Sequence, residues 1–204
     1  MKISILILII FISHNGNSQV REIPNINFEN INQIQNDYIK LLKLKDSNSL
    51  IIKISYMSGW HRSSNSKFIV YDTHGNVVLY ETIDSKHSSK KLKIRKLPIK
   101  NSNQNLYWEF LKRFNNTSEF QIDKTKLNIT QRIIENGMNK DKLIEETVIS
   151  DGHSITFEIT QYNKNTIYSS YSPEEYIKMK YPGMEERQKL LNLINTLEEL
   201  IKNN

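Results

Sequence analysis

The sequence predicts an α+β fold: an antiparallel β-sheet built from hairpins, with helices packed on one face and an amphipathic helix at the C-terminus. Three observations predict it. Apolar, β-branched runs come in pairs across short turn signals, as at 67–72 and 77–82 around Thr73-His74-Gly75-Asn76. Two segments, 104–114 and the C-terminal stretch, carry apolar stripes at helical spacing. Strands and helices do not alternate one for one, which argues against a parallel βαβ architecture.

Taken in order, Ile31, Ile34, Tyr38 and Leu41 recur at helical spacing and predict a helix over 29–44. Leu50, Ile52, Ile54 and Tyr56 alternate as in a strand, and a polar loop is expected over 59–66. The 67–72 and 77–82 hairpin follows. Leu92, Ile94 and Leu97 mark a further strand, ended by Pro98. Leu106, Tyr107, Phe110, Leu111 and Phe114 make the stripe of the 104–114 helix. Between 123 and 139 the apolar residues Leu127, Ile129, Ile133 and Ile134 fit a strand or a short helix equally. A strand is expected over 143–149. Asp151-Gly152, a strong hairpin signal, is expected to turn it back into Ile155, Phe157 and Ile159. Residues 167–171 add a third strand after Asn163-Lys164-Asn165. Ser172-Pro173-Glu174-Glu175 reads as a helix start with a side-chain cap, a capping box and a Tyr171–Tyr176 staple, the helix stopping at Pro182-Gly183. The last helix carries Leu190, Ile194, Leu197 and Ile201, with Glu185 and Glu186 at its positive end.

Residues 1–18 are expected to be a secretory signal peptide, and 19–204 one α+β domain. Lys2 precedes an unbroken apolar run from Ile3 to Ile12, and Gly16-Asn17-Ser18 offers small residues where a signal peptidase cuts. The run is ten residues, against the ~20 that a membrane-spanning helix needs. Export to the periplasm, outer surface or medium follows as an expectation, with Gln19 as the first mature residue. Cysteine is absent, so disulfides, thiol catalysis and Cys-zinc sites are excluded, and packing alone must hold the fold. The net charge of +6 is small for a dedicated nucleic-acid binder.

Three groups of residues could carry chemistry. From 86 to 100 the chain holds seven Lys and Arg and no acid. Lys91, Lys93, Arg95 and Lys96 would form an anion-binding face for an acidic glycan or nucleic acid, were they to share one side. Their alternation with Leu92 and Ile94 equally fits an edge strand guarded by lysines. His61, Asp151 and His153 fall in turns, and would make a general-base or hydrolase site only if those turns converged. Trp60, Tyr162 and Tyr168 could form an aromatic surface for a sugar or peptide. No Gly-x-Ser-x-Gly, His-x-x-x-His or glycine-rich phosphate loop occurs, and neither metal nor cofactor is expected.

The order of a strand ending in Ser58-Gly59, a hairpin at His74-Gly75, a helix with Leu106-Tyr107-Trp108-Glu109-Phe110-Leu111, Asp151-Gly152 and a C-terminal helix resembles small secreted proteins of Bacteroidetes. Ser18-Gln19 is similar to the ends of signal peptides in that phylum. Many of those proteins have a cysteine soon after the strand-end glycine, where His61 and its neighbours stand here. The resemblance implies location and shape but no activity. Together these readings lead to a non-enzymatic binding or envelope-associated domain, its partner an envelope protein or an acidic polymer, with a small hydrolase and an anion-binding surface protein as alternatives.

Overall fold

The computed structural model describes residues 21–26, 28, 30–31, 34–45, 48–58, 63–85, 93–135 and 142–204. The signal-peptide expectation therefore lies outside the described residues, as do Trp60, His61 and Lys91.

The fold is the expected mixture of antiparallel sheet and helices. Nine strands are described: β1 (Asn30–Ile31), β2 (Leu50–Ser58), β3 (Ser63–Tyr71), β4 (Val77–Ser85), β5 (Lys93–Leu97), β6 (Gln131–Glu135), β7 (Lys142–Glu146), β8 (His153–Gln161) and β9 (Lys164–Tyr171). Five helices join them: α1 (Ile34–Leu42), α2 (Gln104–Asn116), α3 (Lys124–Leu127), α4 (Pro173–Lys178) and α5 (Met184–Lys202). The main sheet runs β1-β9-β8-β2-β3-β4-β5, every neighbour antiparallel, while β6 and β7 form a separate two-stranded sheet.

Alternation along the strands sorts the sheet into two faces. Leu50, Ile52 and Ile54 of β2 lie with Ile69, Tyr71, Leu79, Ile155, Phe157 and Ile159 under α2 and α5. Those helices contribute Tyr107, Phe110, Leu111, Leu190, Leu193, Ile194 and Leu197. Polar tips inside this core are satisfied: Tyr71 donates to the Tyr107 carbonyl at 2.8 Å and the Trp108 indole to the Gly75 carbonyl at 3.2 Å. On the other face Ile51, Phe68 and Val70 pack against Tyr38 and Leu42 of α1, so this short helix covers the side opposite α2 and α5. Burying an apolar side chain in either layer stabilises by about 1.5–3 kcal/mol.

The 72–76 turn forms as its residues suggest. Asp72 accepts from the His74 and Asn76 amides, and Gly75 takes φ +81°. The β8–β9 connection is tighter than Asn163-Lys164-Asn165: Tyr162 and Asn163 both adopt positive φ, the two-residue hairpin turn whose twist matches its strands.

Several boundaries differ from expectation. The helix at 29–44 is confined to 34–42, because Asn30 and Ile31 pair with β9. The polar 63–66 stretch joins β3 instead of looping, since serine and asparagine can extend a ladder when both neighbours supply partners. The 123–139 segment contains both structures left open for it: α3, capped by Asp123, and then β6. Asp151-Gly152 does not make a β7–β8 hairpin. β7 ends at Glu146 and pairs with β6, whereas β8 pairs with β2 and β9. Ser172 gives no side-chain cap to α4; it sits at φ +42°, and its carbonyl accepts from Glu175 and Tyr176 instead. The staple is replaced as well: the Tyr171 hydroxyl accepts from the Gly152 amide, and Tyr176 turns inward onto Tyr181. The helix ends at Lys178 rather than at Pro182-Gly183.

Candidate interaction site

Of the residues that sequence reasoning singled out, Trp60, His61 and Lys91 lie outside the described residues, and the others do not assemble into one site. His153 opens β8 opposite Ser58, and its Nε2 lies 3.5 Å from Glu174 Oε2, with Asp151 exposed two residues earlier. Ser172, next to them, has its Oγ buried without a hydrogen-bond partner, packed against Gly152. A nucleophile needs its base within hydrogen-bond reach, and this hydroxyl has none among the described residues. Among the described residues, no group of three or more His, Cys, Asp and Glu side chains could hold a metal ion.

The basic strand is an edge. β5 closes the sheet beyond β4, with Lys93, Arg95 and Lys96 all exposed. Lys93 and Arg95 share a face of the pleat, and Lys96 does not. Arg95 lies opposite Glu81 and is ion-paired with it at 2.6 Å, while Lys96 lies opposite Tyr80 on the reverse side of the pleat. The tyrosines separate too. Tyr168 is buried, stacked on Phe157 with Lys124 above its ring, because its strand position faces α2 and α5. Tyr162 is exposed at the hairpin tip and borders a shallow cleft of about 470 Å³ with Arg21, Pro24, Phe28 and Lys164. The aromatic surface therefore reduces to one ring in the described structure.

What the fold does bring together is an arm. The β6–β7 hairpin leaves the body with four apolar side chains in solvent: Ile133 at 67%, Ile144 at 70%, Leu143 at 53% and Ile134 at 39% exposed. Val148, just past β7, is 84% exposed. Ile133 stands opposite Ile144 on one face, and Ile134 opposite Leu143 on the other. Contiguous exposed apolar groups of this kind mark contact surfaces, whereas single ones are ordinary.

The base of the arm, by contrast, is bolted down. Arg132 pairs with Glu145, donates to the Met179 carbonyl at 2.8 Å and lies over the Tyr181 ring. Tyr176 donates to the Thr147 carbonyl at 2.9 Å, and Thr147 and Tyr181 share a hydroxyl–hydroxyl hydrogen bond. Asn128 donates to the Ser169 carbonyl, and Arg187 to the Ile129 carbonyl. Arg187 is wholly buried, with a second bond to the Pro182 carbonyl and Tyr176 beneath its guanidinium. Burial lowers its pKa from a very high ordinary value, which leaves the group cationic. The arm is thus a stiff base carrying an apolar blade.

Sequence reasoning missed this element although signals were present. The doublets Ile133-Ile134 and Leu143-Ile144 flank Asn136-Gly137, a hairpin dipeptide. Adjacent apolar residues in a strand point to opposite faces, so these doublets announce a strand pair apolar on both sides.

Among the described residues, no helix is long and apolar enough to cross a membrane. Comparison of the chain with protein-family models and with curated proteins returns no match.

Proposed function

We propose that this protein is an exported, non-catalytic binding domain that makes its contact through the β6–β7 arm. The observation that carries the reading is the exposure of Ile133, Ile144 and Val148 on an element whose base is held by Arg132, Arg187 and Thr147. An exposed apolar surface on a stiff support loses little conformational entropy on docking. A protein surface suits these side chains better than an acidic polymer does, since the exposed groups are apolar and Arg95 already has Glu81. The export half of the reading rests on Lys2, the apolar run and Gly16-Asn17-Ser18.

Two measurements test it. N-terminal sequencing of protein recovered from outside the cytoplasm should begin at Gln19; Met1 there would overturn the export reading. For the contact, the double variant I133S/I144S should lose retention on an envelope fraction while keeping its melting temperature. Unchanged retention would remove the arm from the function.

A further inference from the structure

We propose that the partner of the arm is a second copy of this chain, docked edge to edge along β7 across a two-fold axis at Ile144. The proposal rests on the reading of the arm as the contact element and names its occupant.

The hydrogen-bond pattern leaves that edge open. The Thr147 amide donates to the Thr130 carbonyl, which makes Thr130–Thr147 a hydrogen-bonded pair of the antiparallel ladder. Such pairs alternate along the ladder, so Arg132–Glu145 and Ile134–Leu143 are bonded pairs as well. The amides and carbonyls of Lys142, Ile144 and Glu146 therefore point away from β6, and among the described residues β7 has no other neighbour in its sheet. Open edges of this kind are templates for another strand.

The edge is also complementary to itself. β7 reads Lys142-Leu143-Ile144-Glu145-Glu146. Laid antiparallel on its own copy about Ile144, it sets Lys142 opposite the partner's Glu146, and Ile144 opposite the partner's Ile144. The three outward-bonding residues of each strand then meet as bonded pairs, which is the required parity. One face of the resulting four-stranded sheet carries an unbroken row: Ile133, Ile144, the partner's Ile144 and the partner's Ile133. The rows on either side set Lys142 beside the partner's Glu146. On the reverse face Leu143 meets the partner's Glu145.

The same operation on β6 about Ile133 sets Gln131 opposite the partner's Glu135 and makes no ion pair. β7 is therefore the edge chosen. Four strands also remove the marginal stability of a lone two-stranded ribbon.

The test is the mass of the protein, purified as its cells process it, by sedimentation equilibrium over a micromolar to submillimolar dilution series. The expected result is a dimer. K142E or E146K alone should raise the dimer dissociation constant roughly tenfold, because two-fold symmetry makes each like-charge pair count twice. The double variant K142E/E146K should recover wild-type dimerisation. Lys142 and Glu146 are both exposed, and unchanged circular dichroism confirms that each variant folds. A monomer at every concentration, or a double variant as weak as the singles, overturns the proposal. The two failures are distinguishable: a monomer whose envelope retention I133S/I144S still abolishes sinks only the second-copy inference, whereas a monomer indifferent to that variant sinks the arm as well.

Discussion

Arg187 shows at the level of one side chain what holds the arm to the body. Its guanidinium spans from the Pro182 carbonyl to the Ile129 carbonyl, each at 2.7 Å, and so ties the turn before α5 to the strand base. Replacing it with methionine keeps the volume but strands two acceptors. Arg187→Met should cost about 2–4 kcal/mol in urea unfolding. Gly183 beside it has φ +84°, and an added Cβ would collide with the Lys126 carbonyl, so Gly183→Ala should also destabilise. A second prediction concerns alkali. Burial pushes the phenols of Tyr71, Tyr38 and Tyr56 well up, and the Glu158 and Glu198 carboxylates add to it for the latter two. Because these folded-state values exceed the unfolded value of ~10, the folded state binds more protons above that pH. Their stabilisation is full below pH ~10 and is lost as pH rises beyond it. Tyrosinate absorbance from these rings should therefore appear together with loss of circular dichroism. Ionisation near pH 10 in a chain that stays folded would contradict the burial.

Elements show how far local chemistry reaches. Asp72 to Asn76 and the stripe on α5 were legible because each depends on residues within a few positions: a carboxylate bonding amides ahead of it, or apolar groups one helical turn apart. Asp151-Gly152 was misread for the opposite reason. Turn-forming residues license a reversal but do not choose its partner, and β8 finds better partners in β2 and β9 than in β7. Ser172 illustrates the same limit: its sequence offers a cap, yet the αL conformation needed to swing β9 into α4 leaves the hydroxyl unpartnered. The candidate site was the least legible part. His61, Asp151 and His153 attract attention by residue type, whereas the arm is conspicuous only through its exposure, a property of the folded surface. Since Ile133, Leu143 and Ile144 are more than half exposed in the monomer, replacing 133–144 by a short Asn-Gly turn should shift the melting temperature very little at concentrations where the chain is monomeric. A large loss of stability on that deletion would mean that the arm is part of the core.

For the molecule as a whole, stability resides in the layer between the sheet and α2 with α5. Leu190 and Leu197 are fully enclosed there, and Leu197→Ala should cost about 2–5 kcal/mol, measured by denaturant titration. The composition already implied such a core, since no cysteine can staple this chain. Strand order was not implied, because it depends on pairings between distant parts of the chain. The longest ladder of this kind joins β2 to β8, from Ile51 opposite Thr160 to Ser58 opposite His153. That pairing sets a timetable. While the chain is being made, the centre of the sheet has one neighbour missing until the residues of β8 emerge, and its main face is only partly covered, by α2, until α5 follows. The first half therefore cannot finish folding ahead of the second. Completion waits on α5, and under the export proposed above this would keep the chain threadable until α5 has been delivered.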